Sequence, residues 1–352
     1  MPPKPAPARA PRERRRRSVL PDLLPRIQRD EALSREETLV REMVETSLKL
    51  LRDRTSLGDL KLVNAALREL RYALGVSAPY RGVRKVSAFG SARTPPGTPT
   101  YRTAAEFSRR IAERGYMIIT GGGNGIMRAC QEGAGRERSF GFNIRLPFEQ
   151  GANEFISNDP KLVTFRYFFT RKLMFIKEAD ALVLFPGGFG THDEGYEALT
   201  LAQTGKSHPM PIVFVDAPRG TYWKTWQRYV DEHLLRKGLI SPDDLALFKV
   251  TTDVDEAVEE ITGFYRLYHS SRYVGSKWVI RLNHPLAPEV VRRLAEEFAP
   301  LVASGTIEQC EALDDERETE PELNALPRLV FEARRSAFGL RRKLIDRINA
   351  EA

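Results

Sequence analysis

The sequence predicts an α/β protein with a Rossmann-like, doubly wound, mainly parallel sheet. It adds an N-terminal helical extension and a small C-terminal α+β unit. Two observations predict this fold. Between residues 80 and 268, short apolar runs alternate with helical segments. Several of those runs end in a glycine loop that opens straight into a helix, as at Gly90-Ser91-Ala92, Gly121-Gly-Gly-Asn-Gly125 and Gly187-Gly-Phe-Gly190. Ligands of such folds lie at the carboxyl ends of the strands, where these loops fall.

The segments follow in order. Residues 1–20 are Pro, Ala and Arg with almost no large apolar side chains, and should be a disordered basic tail. Residues 21–79 read as helices. Ser34-x-x-Glu37 is a capping-box pattern ahead of Leu39, Val40, Met43, Val44, Leu48 and Leu51. A second helix follows Ser56-Leu-Gly-Asp59, with Leu60, Val63, Leu67, Leu70 and Leu74 on one stripe and Gly75 as its stop. In the 80–268 domain, strands are expected at 83–89, 116–120, 139–146, 162–165, 181–185 and 211–215. Helices are expected at 100–114, from 125, and at 166–178, 191–204, 222–235 and 253–265. Residues 269–352 change character. A strand at 277–282, a helix at 287–301, strands at 307–313 and 329–334 and a helix at 340–348 suggest a split-βαβ unit. The acidic stretch 314–322 should be a solvated loop.

Composition narrows the function classes. Hydrophobic residues make up 41% and charged residues 29% of the 352 residues, as in soluble globular proteins. No apolar run approaches the roughly 20 residues of a membrane span, and no secretory signal is recognisable. Cys130 and Cys310 lie far apart without His or Cys at ligand spacing, so no metal site is expected and a reducing, cytoplasmic setting is. The net charge is +8, but residues 1–17 carry seven basic side chains against Glu13, a net +6. Basicity is therefore a tail and not a face, and nucleic acid is an expected partner only through that tail.

The chemistry gathers at the glycine loops. Three loops on one sheet edge argue for a ligand carrying phosphate, held by backbone N–H groups and helix starts, with Ser91, Gly121 and Gly122 among its contacts. A dinucleotide is disfavoured. The first loop lacks G-x-G-x-x-G spacing, and the second strand ends in Thr120-Gly121 without an acid. No G-K-[ST] follows a glycine loop, so the triphosphate loop is absent too. In 181–194, a buried strand, Pro186, three glycines and a helix start near Thr191 put Asp193 and Glu194 in the helix's first turn. That pattern is open to two readings, a well-capped helix or a phosphate cradle with a catalytic acid beside it. Upstream, Arg171-Lys172 sits among Tyr167, Phe168, Phe169, Leu173, Met174, Phe175 and Ile176. A helix apolar nearly all round is buried, and buried cations need an anion.

Together, Gly121-Gly-Gly-x-Gly-Ile-Met, Arg171-Lys172 and Pro186-Gly-Gly-x-Gly-Thr-x-x-Glu194 resemble the Lonely Guy family over roughly residues 84–268. Its members are phosphoribohydrolases that release a base from nucleoside 5′-monophosphates, including cytokinin precursors. Many carry the older label "lysine decarboxylase-like". The longer first loop and the Leu146-Pro-Phe-Glu149-Gln turn look like the longer bacterial branch, which is similar to AMP nucleosidase-type enzymes. The resemblance implies Arg171 and Glu194 as the catalytic pair. Glu149, Lys172, Gly187, Gly188, Phe189, Gly190, Thr191, Asp193 and Thr200 would line the substrate, with His192 a candidate proton donor to the leaving base. It implies hydrolysis of AMP-like or cytokinin riboside monophosphates to base and ribose 5-phosphate, without cofactor or metal, by a dimer or higher oligomer. One departure is His192-Asp193-Glu194, where the family often has Leu-Glu-Glu. The alternative is a non-catalytic nucleotide-binding regulatory protein on the same fold. Glu197 should be an exposed helix acid without a role.

Overall fold

The computed structural model describes residues 33–146, 151–317, 319–334 and 337–352. The expected basic tail, and Glu149, lie outside the described residues. The chain divides into two compact units, one ending at Ala65 and one from Ala66 to Ala352.

In the first unit, helix Arg35–Arg52 carries the expected capping box between Ser34 and Glu37, yet it has no buried residue. Leu39, Met43, Leu48 and Leu51 all stand exposed. Helix Leu57–Ser77 runs through Gly75, and Pro79 opens a one-turn 3-10 segment just after its end. Gly75 is therefore not the stop. Glycine only weakens a helix, whereas proline removes the N–H that would continue it.

In the second unit seven strands form one sheet. They are β1 (Lys85–Phe89), β2 (Met117–Thr120), β3 (Ser139–Ile144), β4 (Leu162–Phe165), β5 (Ala181–Leu184), β6 (Ile212–Val215) and β7 (Lys249–Thr251). Their order is β4-β3-β2-β1-β5-β6-β7, and every pairing is parallel. Strands of such a sheet are covered on both faces, which is why every residue of β1, β2, β5 and β6 is buried and β5 and β6 read as continuous apolar runs. Period-two alternation sorts their side chains into two cores. Phe89, Ile119, Leu182, Leu184 and Phe214 belong to one, and Val86, Ala88, Ile118, Val183 and Val215 to the other. The chain winds outward from β1 through β4, then returns to start β5 on β1's other side. The switch of direction therefore falls between β1 and β5, where a ligand crevice opens.

The C-terminal sheet is antiparallel, in the order β10-β11-β9-β8, built from β8 (Tyr268–Val274), β9 (Lys277–Leu282), β10 (Val302–Cys310) and β11 (Arg328–Ala333). β9 and β10 flank β11 and run parallel to each other, joined by helix Pro288–Glu297. The polar strand β8 adds an edge by a hairpin that the sequence reading missed. Helix Phe338–Asn349 ties this sheet to the larger one. Asn349 accepts from the Leu267 and Tyr268 amides at 2.9 and 3.0 Å and donates to Phe264 O at 2.6 Å.

The acidic stretch 314–322 is not a solvated loop. Glu316 is fully buried and accepts from Arg281 and from Arg328. Glu320 pairs with Arg281 and Arg272.

Candidate functional site

The loops after β1, β2 and β5 are locked together through one backbone. Ser91 N–H donates to Pro186 O at 3.1 Å, and Ser91 O accepts from Ile126 N at 2.9 Å. This closeness explains two glycines. A side chain on Gly125, whose φ is +64°, would strike Ser91 O. One on Gly187 would strike Thr191 Oγ1 and Ser91 N. The three glycine loops therefore form one rigid lip.

Beside that lip lies a cavity of about 840 Å³. It brings together Ser91, Gly121, Arg171, Gly187, Gly188, Phe189, Gly190, Thr191, His192, Asp193 and Glu194. Three expected residues do not line it. Gly122 turns away at φ +73°, its carbonyl accepting from Asn153. Thr200 lies further down its helix and donates to Tyr196 O at 2.7 Å. Lys172 stands behind the wall, with Nζ 2.7 Å from Asp193 and 2.9 Å from Glu197. Glu197 is thus drawn into an ion pair and is not a plain exposed acid. Burial disfavours the Lys172 ammonium, but its bonds to Asp193 and Glu197 outweigh this and hold its pKa above the ordinary value.

The helix after β5 is Phe189–Gln203, starting two residues earlier than expected. Asp193 and Glu194 therefore fall in its second turn, and its first turn holds no acid. The helix dipole does not account for them, and the capped-helix reading fails. Gly188 occupies the N-cap and no side chain caps the helix. Its first N–H groups, which no helical carbonyl can reach, open at the lip.

Glu194 is 5% exposed, and its buried Oε2 accepts no hydrogen bond among the described residues. Burial pushes its carboxyl up to about 7. Lys172 and Arg171 pull against that rise, while Glu197 and Asp193 add to it. A carboxylic acid near neutrality can exist in either charge state at working pH.

Arg171 projects from helix Phe168–Lys177 and lies over the rings of Phe168 at 4.9 Å and Phe175 at 5.8 Å. That helix is not buried all round. Thr170, Met174 and Phe175 face the core, while Phe168, Phe169 and Leu173 are about half exposed. Glu69 steadies its start, accepting from Arg166 N at 2.8 Å and Thr170 Oγ1 at 2.7 Å.

Sequence reasoning missed Arg93 and Tyr222, both on the cavity wall. Tyr222 donates to Gly187 O at 2.5 Å, and its hydroxyl lies 2.7 Å from His192 Nε2. Buried Asp216 after β6 holds it there, accepting from Tyr222 N at 2.7 Å. The available signal was the Asp216-x-x-x-Gly220 turn at a strand end of the same sheet edge. Burial lowers the His192 pKa, so the ring is neutral near pH 7. Among the described residues no group of three or more His, Cys, Asp or Glu could hold a metal ion, and no helix is long and apolar enough to cross a membrane.

Comparison with known proteins finds relatives of one family. The family model described as "Possible lysine decarboxylase" matches residues 125–261. A cytokinin riboside 5′-monophosphate phosphoribohydrolase of Mycobacterium tuberculosis is 29% identical over 171 residues, covering 47% of this chain and 88% of that protein. A probable enzyme of the same name from Oryza sativa subsp. japonica is 26% identical over 185 residues, covering 51% of this chain and 83% of that protein. Among solved structures, the molybdenum cofactor binding protein of Rippkaea orientalis aligns with a TM-score of 0.36 and 16% identity, covering 50% of this chain and 93% of that one. With the glycine loops, the Arg171-Lys172 pair and the 186–194 run in place, the chain belongs to the Lonely Guy family.

Proposed function

We propose that the protein hydrolyses the N-glycosidic bond of nucleoside 5′-monophosphates, AMP-like or cytokinin riboside monophosphates, giving the free base and ribose 5-phosphate. The observation that carries this reading is a buried, incompletely hydrogen-bonded Glu194 in the same cavity as a glycine-lipped helix start. The curated relatives' names point the same way.

In this reading the phosphate rests on the amides that open at Gly188 to Gly190, where the helix start favours an anion. Cleavage passes through an oxocarbenium-like ribosyl cation. Ionised Glu194, deep in the cavity, stabilises that cation and positions the attacking water. Arg171 balances the charge of the phosphate or of Glu194, held in place by its two rings. His192, hydrogen-bonded to Tyr222, delivers a proton to the leaving base as its imidazolium, which takes that proton from solvent and which burial makes the stronger acid. An assembly of two or more copies belongs to the same proposal, with Phe168, Phe169 and Leu173 as its apolar contact beside Arg171.

The test is a panel of nucleoside monophosphates, with free base and ribose 5-phosphate both measured, on wild type, Glu194→Ala and Arg171→Ala. Wild type should release both products in equal amounts, and both variants should lose activity. Failure of wild type to cleave any monophosphate sinks the enzyme reading. Nucleotide binding without turnover would then favour the regulatory alternative. Sedimentation of wild type against Leu173→Glu tests the assembly.

A further inference from the structure

A second cavity, of about 650 Å³, lies between helix Phe168–Lys177, the 205–210 loop and the C-terminal sheet. The proposed hydrolysis places no chemistry in it, although Phe169 and Leu173 on its wall also belong to the proposed contact between copies. Its size suits a small organic ligand. Its lining is aromatic and cationic. Six Lys or Arg side chains border it against one carboxylate, Glu197. Four of the six are held by acids, including Lys172 by Glu197 and Arg342 by Glu260. Lys206 and Arg341 form no salt bridge among the described residues.

Arg341 is the unusual member. It is 3% exposed, and its polar partners are neutral, the Tyr273 hydroxyl and Arg334 O. Its guanidinium sits over the rings of Phe338 at 4.3 Å, Trp278 at 5.0 Å and Tyr273 at 5.4 Å. Ring faces offset part of the cost of burying a cation, but a buried guanidinium ordinarily meets a carboxylate. Here the described residues supply none, while the wall beside it is open, aromatic and positive. In the same C-terminal unit Arg281 and Arg328 do receive an acid, Glu316. The omission at Arg341 is thus local to the cavity.

We propose that this cavity is a binding site for a small organic anion with a planar ring, its anionic group meeting Arg341 and Lys206 and its ring lying against Trp278 and Phe338. The two cations give the anionic group its counter-charge, and the rings give flat apolar surface, so a ligand with only one of these features gains half of the interaction.

The test is a fluorescence titration of the full chain with anilinonaphthalenesulfonate, a fused aromatic ring bearing one sulfonate. One saturable site per chain is expected. ADP and indole carboxylate serve as competitors with phosphate and carboxylate head groups. Adenosine and pyrophosphate serve as ring alone and anion alone. Either or both of the first pair should displace the probe, identifying the preferred head group, and neither of the second pair should. Arg341→Met should weaken the probe about tenfold or more. Lys206→Glu, an exposed change on the rim that leaves the core untouched, should weaken it too and carries the test if Arg341→Met misfolds. Glu194→Gln, in the first cavity, should leave probe binding unchanged. Wild-type affinity in both Arg341→Met and Lys206→Glu overturns the proposal, as does loss of the probe in Glu194→Gln or equal displacement by adenosine. The readout needs no turnover, so it stands apart from the hydrolase reading.

Discussion

Two buried glutamates divide this molecule into chemistry and architecture. Glu316, at 0% exposure, gives both oxygens to guanidinium groups, Oε1 to Arg281 and Oε2 to Arg328. Glu194, at 5% exposure, keeps one oxygen without a hydrogen bond among the described residues and sits at a cavity. Burying a carboxylate is costly unless its lone pairs are met. Glu316 meets that condition inside the fold. Glu194 does not, and its carboxyl is driven up to about 7. Equal burial with unequal satisfaction separates a residue that holds the fold from one that the fold holds ready.

The comparison breaks most sharply at Glu194. Glu194→Gln should reduce hydrolysis by ~10²- to 10⁴-fold, the range for a group acting on the reacting atoms, with an unchanged circular dichroism spectrum. Thermal stability should hold or rise, because an amide avoids the burial cost of a charge. A variant that melts far below wild type would place Glu194 with Glu316, among structural residues.

Glu316→Gln should do the reverse. It leaves Arg281 and Arg328 buried without their counter-charge, a loss of about 3–5 kcal/mol in stability. Urea unfolding of the variant against wild type measures it. The folded fraction should hydrolyse at the wild-type rate, since Glu316 lies in the one-turn helix Asp314–Arg317 between β10 and β11 and borders no part of the first cavity. Full stability would show that neighbouring groups replace the carboxylate.

The pH profile sharpens the same contrast. If Glu194 acts as a carboxylate, kcat/KM should rise with pH through about 7 and flatten above it. A fall over the same range would make Glu194 a proton donor. Stability has the opposite sign. The folded carboxyl binds its proton more tightly than the unfolded one, so Glu194's contribution is fully present below about 4.5 and lost as pH rises through about 7. Chemical unfolding at several pH values should show stability declining across that window, with a smaller decline in Glu194→Gln.

The two glutamates also show what the sequence made legible. Glu194 announced itself because its neighbours are local. Pro186 and three glycines in four positions mark a strand-to-helix loop, and Gly187 is crowded by Thr191 of the same stretch. The helix start was misplaced because those glycines conceal it, being poor helix formers that still serve at the N-cap and in the first turn. The exposed face of helix Phe168–Lys177 was misread because a nearly unbroken apolar run shows no period to divide core from surface. Glu316 was illegible for another reason. It lies in an acidic run that looks solvated, and its partners are 35 and 12 residues away. β8 escaped notice because Tyr268-His-Ser-Ser-Arg-Tyr-Val is polar for a strand and takes its order from the hairpin with β9. Local constraint reads out from sequence, and long-range pairing of charges does not.

The smallest expected effect lies at Tyr222, the residue the sequence did not single out. Its hydroxyl joins the lip to the cavity wall, donating to Gly187 O at 2.5 Å and lying 2.7 Å from His192 Nε2. Tyr222→Phe removes both contacts and leaves the ring. The backbone anchor to Asp216 at 2.7 Å is untouched, because it uses the Tyr222 amide. One neutral hydrogen bond to a partly exposed carbonyl contributes about 1 kcal/mol, so kcat/KM should fall about fivefold. Which constant moves decides the role. If the hydroxyl only fixes the phosphate lip, binding weakens equally for substrate and transition state, KM rises and kcat stays. If it holds His192 for proton delivery to the leaving base, kcat falls and KM stays. In the second case, monophosphates whose bases leave readily without a proton should be spared, and a panel graded by leaving-group basicity separates the two outcomes.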